Sequence, residues 1–135
     1  VASSIKKPCK IILDSNAFFV PLKFKLDIFQ GIKQLLQCNV EFILLSPIKQ
    51  ELEILANVKE HKQAHFALKL AEKCKVVIVE GHKENTDDII VRVAKKWNTP
   101  VFTNDRELKR RLRDISVPVI YLRQKSRLYI DGLIS

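Results

Sequence analysis

The 135-residue chain has no methionine, one tryptophan, three glycines and five prolines. So little Gly and Pro, with 47% apolar residues, excludes collagen-like, low-complexity and disordered classes. Without a methionine, residue 1 is not taken as a start of translation. The three cysteines, Cys9, Cys38 and Cys74, are scattered and form no C-x-x-C. A disulfide framework or zinc ribbon is therefore not expected, and a reducing cytoplasm fits. No apolar run approaches the ~20 residues that span a bilayer, so no membrane partner is expected. The opening Val1-Ala2-Ser3-Ser4, followed by Lys6 and Lys7, lacks a secretory apolar stretch.

Charge is the surplus. Twenty-four Lys and Arg stand against fifteen Asp and Glu, leaving +9. That balance favours a polyanionic partner, nucleic acid before an acidic membrane surface. The length is that of one domain with a full core.

Five short runs rich in β-branched residues, at 10–14, 40–45, 76–79, 101–102 and 119–122, predict strands. Most are continuous rather than alternating, as in strands buried on both faces of a parallel sheet. Helical stretches lie between them. Ile28, Phe29, Ile32, Leu35 and Leu36 form one apolar face, and Ser46-Pro47 reads as an N-cap and first helical residue. A third helix over 61–73 turns Phe66, Ala67, Leu70 and Ala71 inward. Thr86 is expected to cap a fourth, with Ile90, Val93, Ala94 and Trp97 inward and Asn98-Thr99-Pro100 as the stop. Asn104 or Asp105 starts the fifth. Strands alternating with helices imply right-handed βαβ units and an α/β class, a three-layer α/β/α sandwich. Residues 81–85 read as a mobile loop and the tail from Arg123 as loosely held.

Open α/β sheets bind ligands beyond the carboxyl ends of their strands, and acids cluster there. Asp14 closes the first strand, and Asp105 follows the fourth after Thr103-Asn104. Glu51 lies one turn into the helix after the second strand, and Asp87 and Asp88 open the helix after the 81–85 loop. Helical phase sets Glu51 with Ile48, Leu55 and Val58, facing the sheet, and Glu53 with Lys49, Gln50 and Asn57, facing solvent. Asp87 shares the side of Ile90, Val91 and Ala94. Asp88 stands i,i+4 from Arg92, where an exposed ion pair accounts for it. Each acid has an ordinary explanation, as a helix cap, a turn or a rim residue. Four of them at one end of one sheet are harder to dismiss.

Converging carboxylates repel unless a cation neutralises them. All-oxygen ligands suit Mg²⁺ or Mn²⁺, whereas zinc recruits His or Cys. The histidines offer no such site: His61 and His65 bracket Lys-Gln-Ala, without the Glu of a zinc protease, and His82 falls in the loop. Without the four acids, eleven acidic residues face twenty-four basic ones, a surplus of +13. Much of that surplus lies on Arg106, Lys109, Arg110, Arg111 and Arg113, beside Asp105, and on Arg123, Lys125 and Arg127. A basic ridge beside an acidic pit suits phosphodiester cleavage, with cations on flanking phosphates and metal-activated water.

Leu13-Asp14-Ser15-Asn16, Ser46-Pro47 with Glu51-Leu52, Thr86-Asp87-Asp88 with Ala94, and Thr103-Asn104-Asp105-Arg106-Glu107-Leu108 together resemble a PIN domain, the metal-dependent ribonuclease fold. The ordered set spans nearly the whole chain, 1–135. Pro21 through Phe29 and the stretch 103–127, with Pro118 to Leu122, are similar to stand-alone archaeal PIN proteins related to eukaryotic small-subunit rRNA-processing endonucleases. The resemblance implies a parallel sheet of order 3-2-1-4-5 and a frequent homodimer. It implies an acidic quartet, catalytic and metal-ligating, on Asp14, Glu51, Asp87 and Asp105. Asn16 and Thr103 match supporting polar positions. Asp88 matches the second acid of a pair, leaving a secondary metal role open to it.

The expected activity is Mg²⁺- or Mn²⁺-dependent endonucleolytic cleavage of single-stranded RNA, in rRNA processing, on a pre-ribosomal particle, or in RNA turnover. Arg106, Lys109, Arg110, Arg113, Arg123, Lys125 and Arg127 would hold the RNA. Two alternatives stand beside it: a toxin-type PIN ribonuclease silenced by an antitoxin, and a non-catalytic RNA-binding assembly factor. A phospho-receiver needs acids beside the first strand, where Lys6, Lys7 and Lys10 stand. A haloacid-dehalogenase-type phosphatase needs an Asp where Asn16 stands.

Overall fold

The computed structural model describes residues 9–58, 62–80 and 84–132. Among the described residues six strands form one sheet: β1 (Cys9–Leu13), β2 (Val40–Leu45), β3 (Lys75–Val77), β4 (Val101–Phe102), β5 (Val119–Arg123) and β6 (Arg127–Asp131). Six helices join them: α1 (Val20–Phe24), α2 (Ile28–Leu36), α3 (Ser46–Ala56), α4 (Lys62–Ala71), α5 (Thr86–Trp97) and α6 (Arg106–Asp114). A 3-10 turn over Ser15–Phe19 follows β1. The sheet order is β3-β2-β1-β4-β5-β6. The first five strands are parallel, in the expected order, and make the expected α/β sandwich.

Continuous apolar runs became buried strands because both sheet faces are covered. Ile11, Ile12, Leu13, Leu44, Leu45, Val101, Phe102, Val119 and Ile120 are all buried. Each such side chain gives about 1.5–3 kcal/mol on leaving water, which favours a central parallel sheet over an exposed one.

Several expectations need correction. The tail is not loose over its described residues, 123–132: β6 pairs antiparallel with β5, from Val119↔Asp131 to Arg123↔Arg127. Its Leu128 lies so close to α2 that a Cβ on Gly31 would meet it at 2.7 Å. The third strand is Lys75–Val77, leaving Ile78 almost wholly exposed. Ser46 does not cap α3. Leu45 holds that position without a side-chain bond, and Ser46 Oγ accepts from Val79 N at 3.1 Å. Asn85, not Thr86, caps α5, its Oδ1 accepting from Asp88 N at 2.8 Å. On α4 the small residues Ala64, Ala67 and Ala71 face inward while Phe66 is exposed, because α4 packs against α3 and the 3-10 turn. Trp97, at the end of α5, is partly exposed, and Asn98 ends that helix in the left-handed conformation. His61 and His82 lie outside the described residues, as do 81–83 of the expected loop. Among the described residues no helix is long and apolar enough to cross a membrane.

Candidate active site

Register builds the site. Leu13 pairs with Phe102, so the next residues, Asp14 and Thr103, emerge side by side from the carboxyl ends of β1 and β4. Asp14 N donates to Phe102 O at 3.0 Å, continuing the ladder by one bond. The Thr103 hydroxyl donates to Asp14 Oδ2 at 2.7 Å and accepts from Asp105 N at 3.1 Å. It also accepts from Asn16 Nδ2 at 3.3 Å, which uses all of a hydroxyl's capacity. Asn16 Nδ2 reaches Asp14 Oδ2 at 3.1 Å, and its Oδ1 accepts from Asn104 N at 3.3 Å. Asp14 Oδ1 accepts from Ser15 N at 2.7 Å. Both expected supporting residues therefore touch Asp14 directly. Asn104, one of the two residues expected to start α6, instead fastens the loop, its Oδ1 accepting from Leu122 N at 2.9 Å.

Asp14 is only 5% exposed. Burial raises its pKa from 3.8 to about 6 against the pull of Thr103 and Ser15, with Asp87 and Glu51 adding repulsion. Asp87 is also raised, first by burial and then by Asp105, with Arg111 opposing and Asp88 adding. Asp14 thus feels Asp87 and Glu51, and Asp87 feels Asp105, at one end of the sheet. Asp105 starts α6, its Oδ1 accepting from Glu107 N at 2.9 Å and Leu108 N at 3.1 Å. The ordinary capping explanation is therefore true of Asp105, and it leaves Oδ2 outside the cap.

Glu51 is half-buried and Glu53 exposed, as the phasing predicts. The apolar face of α3 is Ile48, Leu52 and Ala56, however, and Val58 lies outside the helix and is exposed, so Glu51 sits at the edge of that face. Glu51 Oε2 is buried and has no hydrogen-bond partner. The residue borders a cleft of about 480 Å³ shared with Ser46, Gln50, Val79 and Thr86.

Asp88 departs from its expected pairing. Arg111 Nη2 of α6 meets its Oδ1 at 2.7 Å, while Arg92 turns to Glu84 at 3.0 Å and to the Glu80 carbonyl. Arg111 was not among the expected site residues. It places a guanidinium beside both acids that open α5, and only a helix-to-helix contact brings it there.

The basic ridge is partly neutralised within the chain. Arg110 is held by Glu107 and by Asp114 at 3.2 Å. Arg113 Nε lies 3.3 Å from Asp131 Oδ1, and Lys109 Nζ 3.7 Å from Asp131 Oδ2 and 3.5 Å from the centre of the Tyr121 ring. Arg106 and Arg123, both exposed, border with Thr103 and Gln124 a second cleft of about 390 Å³. Lys125 and Arg127 are exposed on the β5–β6 hairpin.

Chemically, the pit offers oxygen donors of one sign. Among the described residues no three acid, His or Cys groups already stand at mutual ligand distance. The donor set, the partnerless Glu51 oxygen and the unfavourable ionisation of Asp14 and Asp87 nevertheless fit a hard divalent cation.

Fold and site together define a PIN-type domain. The sequence pattern of a PIN like domain matches residues 11–125, and the chain belongs to this family, as its motifs led us to expect. Ribonuclease VapC4 of Methanocaldococcus jannaschii is 33% identical over 129 residues, covering 93% of this chain and 98% of that protein. Ribonuclease VapC9 of Archaeoglobus fulgidus is 36% identical over 95 residues, 68% of each. Among solved structures, the PIN domain endonuclease Utp24 superposes with a TM-score of 0.81 at 25% identity, over 94% of both chains. VapBC2 from Rickettsia felis, solved with a DNA fragment from its promoter, gives 0.57 at 18% identity over 75% of this chain and 92% of that one, a likeness of fold.

Proposed function

We propose that this chain is a divalent-metal-dependent endoribonuclease that hydrolyses single-stranded RNA. The observation that carries the reading is the buried Asp14 carboxylate, repelled by Asp87 and Glu51, with Asp87 in turn repelled by Asp105. These four would hold Mg²⁺ or Mn²⁺. When bound, the ion supplies positive charge and an activated water for attack on a phosphodiester. Thr103 fixes the spacing of Asp14 and the Asp105 backbone, and Asn16 orients Asp14 from the other side. Arg111 holds Asp88 at the rim of the pit, so Asp88 is an orienting acid whose secondary metal role is part of the proposal. The names of the relatives, two ribonucleases and an endonuclease, support RNA as substrate. We assign the chain to rRNA processing or RNA turnover on the likeness of its motifs to archaeal PIN proteins related to rRNA-processing endonucleases, and the superposition on the PIN domain endonuclease Utp24 supports endonucleolytic cleavage.

A second reading, a toxin-type ribonuclease bound by a small antitoxin, is favoured by the VapC names of both curated relatives. Co-purification of a small protein that blocks cleavage would select it. The primary test incubates purified protein with labelled single-stranded RNA and Mn²⁺, Mg²⁺ or EDTA, beside Asp14→Asn. Metal-dependent cutting lost in the variant supports the nuclease. RNA bound but left intact by both proteins overturns it in favour of a non-catalytic assembly factor.

The RNA grip gives a separate expectation. Affinity should fall steeply with salt, and the Arg106→Gln/Arg123→Gln pair should flatten the slope of log affinity against log salt by about 0.7 per cation removed. Arg110→Gln should change it less, because Glu107 and Asp114 already neutralise that guanidinium. A slope unmoved by the pair, measured by filter binding between low and moderate salt, would place the grip elsewhere.

A further inference from the structure

Cys9 opens β1, and Cys38 lies just ahead of β2. Cys38 Sγ donates to Cys9 Sγ at a sulfur–sulfur distance of 2.6 Å. The backbones are pinned beside each other, Cys9 N donating to Asn39 O at 2.8 Å and Cys9 pairing with Val40 in the sheet. A disulfide has sulfurs about 2.05 Å apart, so roughly half an ångström of movement closes the bond. Both residues are half-buried, within reach of a small oxidant.

We infer that Cys9 and Cys38 form a reversible intramolecular disulfide, a redox-dependent staple between the starts of the neighbouring strands β1 and β2. The odd count and wide spacing of the cysteines gave no hint of it, because the pair is made by strand adjacency across 29 positions.

Direction follows from the contact. Burial, together with the Cys9 contact, pushes the Cys38 thiol up to about 11, so Cys38 is the weaker first nucleophile of the pair. Cys9 sulfur therefore attacks first. With a hydroperoxide as oxidant, the O–O bond breaks, a sulfenic acid forms on Cys9, and an alcohol, or water from hydrogen peroxide, departs. Cys38 sulfur then attacks Cys9 sulfur, and the S–O bond breaks as the S–S bond forms. Hydroxide leaves with the Cys38 proton as water. Two sulfurs are each oxidised by one electron, and the two peroxide oxygens are each reduced by one.

The closed loop contains Asp14, the 3-10 turn, α1 and α2. The staple sits at the amino end of the sheet, roughly 16 Å of strand away from Asp14. It constrains the unfolded chain without entering the acidic pit. Cys74 serves as an internal control, a half-buried thiol pushed up to about 12 by burial alone.

The test uses the whole chain, reduced, desalted and treated with a slight excess of hydrogen peroxide, with thiols then counted by maleimide in denaturant. The three reactive thiols should fall to one, with a linked peptide pair containing Cys9 and Cys38. The thermal midpoint should rise by about 10 °C and return on phosphine treatment. Cys74→Ser should keep the whole rise, and Cys38→Ser should abolish it. Because the central comparison is between oxidised and reduced forms of one chain, it does not depend on a variant folding. Three persistent thiols, or bridging between chains through Cys74, would overturn the pairing. A Cys9–Cys38 link with an unchanged midpoint would overturn the staple.

Discussion

Asp14→Asn should lower metal-stimulated RNA cleavage by about a thousandfold or more and also stabilise the protein in EDTA at neutral pH. The two effects share one cause. The Asp14 carboxyl titrates at about 6 in the fold against an ordinary 3.8, with burial as the largest contribution. A raised folded pKa favours the protonated native state, so its stabilising effect is complete below 3.8 and is lost as pH rises through 6. At pH 7.5 the ionised carboxylate therefore destabilises the metal-free fold by about 3 kcal/mol. Asparagine has nearly the same shape and carries no charge. Urea unfolding in EDTA should find the variant the more stable at pH 7.5, and the gap should close between pH 6 and pH 4. A variant of equal or lower stability at pH 7.5 would show that the buried charge is no burden and remove the electrostatic case for a cation in the pit.

The sheet was legible because its cause is local composition. Ile11 to Leu13, Leu44-Leu45, Val101-Phe102 and Val119-Ile120 are too apolar to be anything but doubly covered strands. β6 was missed because Leu128 and Ile130 alternate with polar residues and their burial depends on α2, where Gly31 leaves room for Leu128. Caps failed wherever two polar residues compete. Asn85 takes the bond to Asp88, and Ser46 is drawn off by Val79, far along the chain. The α4 face failed for a different reason, since close helix packing selected alanines and left Phe66 outside. The acids were readable one by one, as residues ending strands or opening helices. Their counter-charges were not. Arg111 reaches Asp88 across two helices, and Asp131 neutralises Lys109 and Arg113 from a strand that the sequence did not announce.

Glu51 and Glu53 offer a test of the site internal to one helix. They are two residues apart on α3, so whatever disturbs the helix in general disturbs both. Glu51 has a buried carboxylate oxygen without a partner, and Glu53 is exposed. An unpartnered buried oxygen costs about 1–3 kcal/mol, a penalty that a bound cation would remove. Glu51→Gln should therefore reduce cleavage by about a hundredfold or more and diminish the rise in thermal midpoint that Mn²⁺ produces. Glu53→Gln should leave cleavage within about twofold and the Mn²⁺ response intact, as expected of a surface substitution. The Mn²⁺ response is the more discriminating readout, because it registers the ion without requiring turnover or the right RNA. Equal loss in both variants would mean that α3 is rotated from the orientation described. Loss in neither would leave Glu51 a rim acid and reduce the quartet to the three carboxylates Asp14, Asp87 and Asp105.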